Sequence, residues 1–337
     1  MSPTRPQTSP RGPWRFEEVP CDFCESTDAD PLLTGRDRLH GLPGAFAVVR
    51  CRRCGLVRTS PRPTIDSLGA AYPNDYEPHR KGQEADPPEG LFRWALVNLR
   101  QYPLDPPDDG LRRAVRWLFA WATLHRRRAI GYLPYTGRGR LLDFGCGSGG
   151  YVARMNAVGW SAEGLDLSPE AVRAAREAGL TVHEGTLPGA ALAPEFYDAV
   201  TMWHALEHVP SPKATLRAAH DLLRPDGLLL VAAPRFDSLA ARWFGSCWFP
   251  LELPRHLTHF TAATLCRHLE ATGFHVLRIH ALRRPALLRH SFALLADETG
   301  RSGHRRLARS RLLCGALSWV ALLARRTQQM VVVAQRA

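Results

Sequence analysis

Lysine and long apolar runs are both scarce in this chain of 337 residues. Lys81 and Lys213 are the only lysines among 44 basic residues, so arginine carries the formal net charge of +12. We interpret this bias as compositional rather than as a sign of arginine-specific chemistry. No stretch reaches the ~18 apolar residues that a membrane-spanning helix requires. With 45% apolar residues, the chain is expected to bury one large core or two of ordinary size.

The N-terminal letters "MSPTRPQTSPRGPW" lack the apolar core of a secretory signal. We therefore expect residues 1–14 to form a disordered tail and the protein to be cytoplasmic. The basic excess is concentrated elsewhere, because residues 283–327 hold ten Arg against two acidic residues. This region includes the apolar run 312–324. The pattern suits an acidic surface, and we hypothesise peripheral contact with the inner face of the membrane through residues 283–328. The alternative is a helix that packs on the domain's own core.

Eight cysteines without a secretory signal indicate thiols or a metal rather than disulfides. Four of them form two C-x-x-C pairs, Cys21 with Cys24 and Cys51 with Cys54. Four thiolates suit tetrahedral zinc, and Gly55 permits a tight turn after the second pair. We predict a structural Zn²⁺ site in a zinc-binding segment, residues 15–60. A redox pair, or thiols with no shared role, are the alternatives.

Pro-rich and polar stretches in residues 61–110 indicate a linker with short helices. Residues 111–130 have apolar side chains at helical spacing. From Arg140 onward, strand patterns alternate with helix patterns, for example "RLLDF" before "GGYVARMNAVG". Such alternation predicts an α/β fold, a mostly parallel sheet with helices on both faces.

The first strand of this pattern runs into the glycine-rich stretch "LLDFGCGSGGYV", residues 141–152. The letters fit both G-x-G-x-x-G for a dinucleotide and D-x-G-x-G-x-G for S-adenosylmethionine. Asp143 decides between them, because a carboxylate there would repel a pyrophosphate but attract the ammonium and sulfonium of S-adenosylmethionine. Asp166, 21 residues after Gly145, is placed to accept hydrogen bonds from ribose hydroxyls of either ligand.

These stretches, with "LDLSPEAVRAA", "YDAVTMWHALEHVPSP" and "DLLRPDGLLLVAAP", resemble class I S-adenosylmethionine-dependent methyltransferases. The resemblance implies a Rossmann-like sheet of seven strands, with the seventh antiparallel beside the fifth. It implies a methyltransferase domain over residues 111–337 that carries residues 283–328 as a basic, apolar, helical insertion. It also implies a donor site that these residues line: Asp143, Gly145, Gly147 and Gly149 at the methionine side, Asp166 and Leu167 at ribose and adenine, Gly185 and Thr186 beside the adenine, and Trp203 and His204 facing donor and substrate.

A second signature, "WFPLELPRHLTHFTAATL" together with the cysteine pairs, resembles methyltransferases of bacterial surface-polysaccharide and natural-product sugar pathways. Those enzymes have a zinc-binding N-terminal segment. The resemblance implies a small-molecule or glycan acceptor. One departure is the stretch of about forty-five residues between the last two strand patterns, which in the core family form a tight hairpin.

Methyl transfer to a hydroxyl requires that the acceptor be positioned and its proton removed. Glu207 and His208 follow the fourth strand, at the edge where open α/β sheets bind ligands. His256 and His259 follow the fifth strand in "PRHLTHF". We predict His208 as the general base, with His259 second. Glu207 either orients His208 or holds a divalent metal that acidifies the acceptor.

Two other functions fit parts of the sequence. The cysteine pairs and the net charge of +12 also suit a zinc-ribbon nucleic-acid-binding protein or an RNA methyltransferase. Against this, the basic excess lies in one insertion, and "MWHALEHV" differs from an Asn-Pro-Pro-Tyr-type base-methylation motif. An NAD-dependent oxidoreductase is disfavoured by Asp143. The sequence leaves open the acceptor, the methylated atom and the oligomeric state.

Overall fold

A computed structural model describes residues 14–72, 90–104 and 131–337 of the chain. The predicted helix 111–130, all but the last residue of the predicted tail and part of the predicted linker lie outside these residues. The described strands are β1 (Phe16–Glu17), β2 (Ala29–Gly35), β3 (Phe46–Cys51), β4 (Val57–Thr59), β5 (Arg62–Pro63), β6 (Arg140–Phe144), β7 (Ser161–Asp166), β8 (Val182–Glu184), β9 (Tyr197–Trp203), β10 (Leu223–Pro234), β11 (Thr258–His259), β12 (Phe274–Leu282) and β13 (Gln329–Arg336).

Helices connect and flank these strands. The described helices are α1 (Ile65–Leu68), α2 (Gly90–Arg100), α3 (Gly150–Asn156), α4 (Pro169–Glu177), α5 (Pro212–Leu222), α6 (Leu239–Phe244), α7 (Ala262–Glu270), α8 (Pro285–Thr299), α9 (Ser302–Arg309) and α10 (Arg311–Leu323), with short 3₁₀ turns at Gly69–Ala71, Gly245–Cys247 and Phe249–Leu251. Helix α4 begins as its sequence predicts: Ser168 Oγ accepts a hydrogen bond from the Ala171 amide at 3.2 Å, and Pro169 occupies the first turn. None of the helices in the described ranges is long and apolar enough to cross a bilayer.

The central sheet has seven strands in the order β12-β13-β10-β9-β6-β7-β8. Strands β6 to β10 run parallel to one another, and β13 runs antiparallel between β10 and β12. In chain order, β13 is the seventh strand of this sheet and β10 is the fifth. The seventh strand therefore lies antiparallel beside the fifth, and the predicted α/β, Rossmann-like methyltransferase sheet is confirmed. Its central strands β6 and β9 are almost entirely buried, as parallel strands covered on both faces are. Their carboxyl ends bring the loops after β6, β7 and β9 to one edge.

A second, four-stranded sheet has the order β11-β4-β3-β2. Three of its strands come from the cysteine-rich N-terminal segment, whereas β11 belongs to the "PRHLTHF" stretch. Thr258 pairs with Arg58, and His259 pairs with Val57. The N-terminal segment is thus joined by backbone hydrogen bonds to the loop that follows the fifth strand of the central sheet.

The forty-odd residues between β12 and β13 form helices α8, α9 and α10. Although the chain leaves the sheet here, β12 and β13 still pair along eight registered positions. Leu288 of α8 and Cys314 of α10 are buried in one apolar cluster with Phe46 and Trp248. The inserted helices therefore pack against the N-terminal sheet and the segment after β10, and one face of α10 has a partner within the chain.

Candidate active site

The glycine-rich loop follows β6 and turns into helix α3. Gly145, Gly147 and Gly149 all have positive φ, between 53° and 82°, which favours glycine. A side chain at Gly145 would lie 2.6 Å from Cβ of Ala205, so the loop after β6 and the loop after β9 are in close contact. The sequence therefore needs glycine here both for the turn and for the approach of the two loops that carry the predicted site residues.

Asp143 lies in β6 directly before this loop and is 2% exposed. It accepts a hydrogen bond from the Thr201 hydroxyl at 2.7 Å. Burial raises the pKa of Asp143 to about 7, while the Thr201 hydrogen bond and the charge of Arg154 act in the opposite direction. A buried carboxylate with one short hydrogen bond is prepared to meet a cation, since a positive ligand would favour its ionised form.

Asp166 ends β7 and holds the loop from the opposite side. Its Oδ2 accepts from the Gly147 amide at 2.8 Å, and its Oδ1 accepts from the Ser168 amide at 2.9 Å. The backbone carbonyl of Asp166 accepts from the Gly185 amide at 2.9 Å. Leu167 is 65% exposed, so its side chain is free to cover a bound adenine. Asp166, Leu167, Gly185 and the adjacent Thr186 thus lie together at the predicted ribose and adenine end.

Trp203 ends β9, and His204 follows it with φ of 54°, a conformation uncommon outside glycine. The His204 amide donates to the Ala232 carbonyl at 3.0 Å, and its Nδ1 lies 3.2 Å from Oε1 of Glu207. The Trp203 ring packs 5.3 Å from that of Tyr151 in helix α3. The loop after β9 therefore links the glycine-rich loop, through Ala205, to Glu207.

Glu207, His208 and His256 form a compact cluster beyond this link. Ligand atoms of the three residues all lie within 4.8 Å of one another, and the His208 and His256 rings are 4.6 Å apart at 81°. Glu207 is 1% exposed, and its Oε2 is buried without a hydrogen-bond partner in the described part of the chain. An unpartnered buried carboxylate oxygen is costly unless a proton, cation or ligand meets it. The cluster can orient a base or hold a divalent metal.

Sequence reasoning missed Tyr72, which completes this cluster. Its hydroxyl lies 2.9 Å from Nδ1 of His208, although Tyr72 falls in the predicted linker. The aromatic residue stands at the end of the short turn Gly69–Ala71 in the stretch "GAAYP". A lone tyrosine before proline gives no signal by which sequence analysis could have paired it with a histidine 136 positions away.

The histidines of the cluster are held neutral near pH 7. Burial lowers the pKa of His208, against the raising effect of the Glu207 charge. Burial, with the neighbouring His208, lowers the pKa of His256 well below its ordinary value, and the His256 Nδ1 lies 3.1 Å from the Pro250 carbonyl oxygen. A neutral imidazole is the form that accepts a proton.

His259 has a different environment from His208. It is 4% exposed and its Nε2 lies 3.1 Å from the Thr59 hydroxyl. Burial lowers the pKa of His259 to about 3. Its ring stands 6.4 Å from that of His256. Of the four predicted catalytic residues, Glu207, His208 and His256 come together, whereas His259 lies at the edge of this group against the N-terminal segment.

Arg255, beside His256, is fully buried and pairs with a residue of the N-terminal segment. Its guanidinium donates to Asp37 at 2.7 and 3.3 Å and to the Ala71 carbonyl at 3.1 Å. Burial alone would raise the pKa of Asp37, but Arg255 and the amides of Leu39 and His40 lower it overall. The pair fixes the position of the "PRHLTHF" stretch relative to the segment that supplies Tyr72.

The four paired cysteines converge as the zinc hypothesis requires. Cys21 Sγ lies 3.4 Å from Cys54 Sγ, Cys24 Sγ lies 3.5 Å from Cys51 Sγ, and one sulfur from each residue falls within a 4.8 Å group. Sulfurs bound tetrahedrally to zinc would be about 3.8 Å apart, given a Zn–S bond of about 2.3 Å. All four are free thiols. Burial would raise the pKa of Cys51, but hydrogen bonds from the Cys54 amide and neighbouring thiols lower it to about 7.

The two cysteine pairs have the same local backbone. In each pair the amide after the second cysteine donates to the carbonyl of the first: Glu25 to Cys21 at 2.7 Å and Gly55 to Cys51 at 2.8 Å. Glu25 and Gly55 both have positive φ, 62° and 75°. The segment thus contains two equivalent knuckles, with Glu25 adopting the conformation for which Gly55 alone was recognised in the sequence.

Part of the chain is similar to known proteins. Residues 115–279 match the family model "Methyltransferase domain". The ubiquinone biosynthesis O-methyltransferase of Xanthomonas euvesicatoria pv. vesicatoria is 39% identical over 100 residues, which are 28% of this chain and 42% of that protein. The enzyme of the same name from Aeromonas salmonicida is 32% identical over 147 residues, 40% of this chain and 62% of that protein. The chain thus spans less than two thirds of the length of each of these relatives.

Solved structures are similar over more of the chain, at lower sequence identity. An S-adenosylmethionine-dependent methyltransferase from Mesorhizobium loti is 23% identical, with a TM-score of 0.44, over 64% of this chain and 97% of that one. A SAM-dependent methyltransferase from Archaeoglobus fulgidus is 20% identical, with a TM-score of 0.41, over 67% of this chain and 95% of that one.

Proposed function

We propose that this protein is an S-adenosylmethionine-dependent methyltransferase that methylates a hydroxyl of a small molecule, a sugar or a glycan or natural-product intermediate. One observation carries the proposal: the buried carboxylate of Asp143 stands before the glycine-rich loop, and that loop contacts Ala205 in the segment leading to Glu207 and His208. A site for a cationic donor and a group able to take a proton are thereby adjacent. The family model over residues 115–279 supports the same reaction class.

Binding of the donor tests the first half of the proposal. Asp143 should favour the sulfonium and ammonium of S-adenosylmethionine and disfavour a pyrophosphate. Calorimetry with the full chain should therefore detect S-adenosylmethionine and no NAD. Tight NAD binding without S-adenosylmethionine binding would overturn the assignment in favour of an oxidoreductase.

Two observations support the proposed acceptor. The matched relatives are named O-methyltransferases, which favours oxygen as the atom methylated. The "WFPLELPRHLTHF" signature and the cysteine pairs favour a sugar or sugar-bearing acceptor. Mass spectrometry of glycans and lipids from a deletion strain should show the loss of a 14-dalton increment, the mass of one added CH₂, on a hydroxyl-bearing product. A loss confined to RNA would instead support a nucleic-acid substrate.

His208 is proposed as the general base. The hydroxyl oxygen attacks the methyl carbon, the carbon–sulfur bond breaks to leave a neutral thioether, and the hydroxyl proton passes to the imidazole. His208→Ala should lower turnover by about 10²–10⁴-fold with donor affinity retained. His259→Ala serves as the comparison, because that ring is bonded to Thr59. If His259→Ala alone is inactive, the base is His259.

The same cluster supports a second role, metal binding, and the histidine variants distinguish it from general-base catalysis. Glu207, His208 and His256 place one carboxylate and two imidazoles within 4.8 Å of one another. The Glu207 carboxylate is the member of this set that suits magnesium, because Mg²⁺ prefers oxygen ligands to imidazole. Retained activity in both histidine variants, dependent on added magnesium, would replace the base with a metal that acidifies the acceptor. Glu207→Gln should then abolish the magnesium response.

The N-terminal cysteines are proposed to hold one structural Zn²⁺ per chain. Cys21, Cys24, Cys51 and Cys54 would supply all four positions of a tetrahedral site, which leaves none open for chemistry. Cys21 and Cys51 are buried in the same apolar cluster as Leu216 and Leu265 of helices α5 and α7. The metal would thus stabilise the segment that presents Tyr72 and Asp37 to the candidate active site.

The inserted helices are proposed to contact an anionic lipid surface. Leu312 and Leu323 of α10 are 89% and 81% exposed, and Trp319 is 53% exposed. Exposed arginines flank them at both ends of the helix, including Arg311 and Arg325. Apolar side chains between cations suit the interface of an acidic bilayer. The protein should float with anionic liposomes at low salt and not with neutral ones, and a protein that stays at the bottom with both would contradict this contact.

A further inference from the structure

A pocket of about 380 Å³ opens between the cysteine-rich segment and the start of helix α5. Four basic side chains line it: Arg58, Arg62, Lys213 and Arg217. The two acidic residues of its wall are Asp22 and Glu25. The sequence analysis assigned no role to any of these residues, and the proposed donor site lies on other elements.

Arg58 is the unusual member of this group. It lies in β4 and is 6% exposed, yet its Nε and Nη1 are buried without a hydrogen-bond partner among the described residues. A buried guanidinium without a partner is costly. Proteins retain such groups where a ligand of opposite charge satisfies them, so Arg58 indicates an anion rather than a neutral ligand.

The other charges around the pocket leave Arg58 uncompensated. Asp22 is engaged by the start of α5, because it accepts from the Ser211 hydroxyl at 2.5 Å and from the Lys213 amide at 2.9 Å. Glu25 is exposed. Arg62 pairs with Glu17 at 2.7 Å, outside the pocket wall.

Lys213 and Arg217 add positive charge to the pocket beside Arg58. The Lys213 ammonium donates to the Phe23 carbonyl at 3.3 Å, and Arg217 is exposed at the rim. Neither contact neutralises a charge, since a carbonyl carries none. The pocket therefore has a cationic wall.

The pocket adjoins the candidate active site through β4 and β11. Thr59 and Thr258 line the pocket. Thr59 Oγ1 also donates to the His256 carbonyl at 2.8 Å and lies 3.1 Å from Nε2 of His259. The Thr258 amide contacts the Glu207 carbonyl at 3.2 Å. One layer of backbone thus separates the pocket from the histidine cluster.

We propose that this pocket binds a phosphate or diphosphate group of the acceptor, with Arg58 as its buried ligand. The volume exceeds that of one phosphate, and planar guanidinium groups match the geometry of phosphoryl oxygens. The assignment of the anion to the acceptor rests on the proposed methyltransferase function. The binding of phosphoryl groups by the pocket is independent of that function.

Calorimetry with the full chain at low salt tests the pocket with inorganic pyrophosphate and glucose 1-phosphate as probes, and with glucose as the neutral comparison. Both phosphorylated probes should bind and glucose should not. Arg58→Met keeps the side-chain length and removes the charge, so it should weaken pyrophosphate binding by about tenfold or more. Arg50→Met, an exposed arginine of the same sheet outside the pocket, should bind as the wild type does.

Thermal unfolding without ligand shows whether weaker pyrophosphate binding by Arg58→Met results from a loss of folding. Because Nε and Nη1 of Arg58 have no hydrogen-bond partner among the described residues, Arg58→Met should unfold at the same temperature or higher. Added pyrophosphate should raise the unfolding temperature of the wild type and of Arg50→Met, and should raise that of Arg58→Met less or not at all. Failure of the wild type to bind pyrophosphate, or equal binding by Arg58→Met, would overturn the proposal. Pyrophosphate binding by a chain that fails to bind S-adenosylmethionine would uphold the pocket and reject the methyltransferase. If glucose binds as tightly as glucose 1-phosphate, the phosphoryl assignment is wrong.

Discussion

The hydroxyl of Tyr72 lies 2.9 Å from Nδ1 of His208 and joins the stretch after the N-terminal segment to the loop after β9. The direction of this hydrogen bond determines what His208 can do. If Nδ1 donates to the tyrosine oxygen, the lone pair of Nε2 is available to take a proton from an acceptor. Tyr72 would then position the base, much as a second group orients the imidazole in other general-base sites.

Tyr72→Phe should therefore reduce kcat by about tenfold or more, because the imidazole loses the partner that fixes its tautomer and orientation. Donor affinity should not change, since Asp143 and the glycine-rich loop, which are proposed to hold the donor, lie at the end of β6 in the central sheet. Tyr197→Phe is a matched control, because the Tyr197 hydroxyl bonds to Glu163 and not to the histidine cluster. Steady-state kinetics in which Tyr72→Phe raises only the acceptor KM would assign Tyr72 to acceptor binding instead.

Asp143 should make donor binding depend on pH. Its pKa of about 7 means that part of the protein must release a proton from Asp143 before the carboxylate can meet the donor's positive charges. Below pH 7 the affinity should fall by up to about tenfold per pH unit. Asp143→Asn should bind the donor about 10–100-fold more weakly, the loss of a charge-assisted hydrogen bond, with little dependence on pH between 5 and 8. Calorimetry across that range measures both effects.

The free protein should show the opposite trend in stability. Since the folded pKa of Asp143 lies above its ordinary value of 3.8, the folded state holds a proton that the unfolded state has lost between about pH 4 and 7. The free energy of unfolding should therefore decrease as pH rises through this window, by up to about 4 kcal/mol from this group. Asp143→Asn should flatten the curve. A wild-type stability that rises steeply over the same window, unchanged in the variant, would contradict a protonated Asp143.

Motifs that are local in sequence predicted the donor site, whereas the rest of the site depends on contacts between distant segments. Asp143, the glycines and Asp166 lie at strand ends that parallel topology brings to one edge, so their proximity follows from the alternation of strands and helices. Asp37 and Arg58 come from the N-terminal cysteine-rich segment, and Tyr72 comes from the predicted linker that follows it. Their roles depend on the pairing of β4 with β11, and no periodicity or spacing in the sequence encodes that pairing.

Zinc removal should affect the N-terminal segment more than the donor site. Cys51→Ser should lower the zinc content from one per chain and destabilise the segment that packs on α5 and α7, because three remaining thiolates bind zinc less well. S-adenosylmethionine should still bind, since Asp143 and the glycine-rich loop lie on the central sheet. Cys266→Ser changes a cysteine outside the cluster and should keep the metal. Metal analysis of protein prepared without chelators gives the answer, and wild type without zinc would refute the site.

Asp37 and Arg255 should depend on each other for stability. Both side chains are fully buried and 2.7 Å apart, so removing one leaves the other as an unpaired charge in the interior. Asp37→Ala should lower the free energy of unfolding by about 3–5 kcal/mol. Adding Arg255→Met should recover part of that loss, because the uncompensated guanidinium is gone, although the amides of Leu39 and His40 lose an acceptor in both variants. Denaturant titrations of the two single variants and the double variant give the coupling. Additive losses would mean that Asp37 and Arg255 have no energetic coupling, and the N-terminal segment would then be held to the histidine cluster mainly by the strand pairing of β4 with β11.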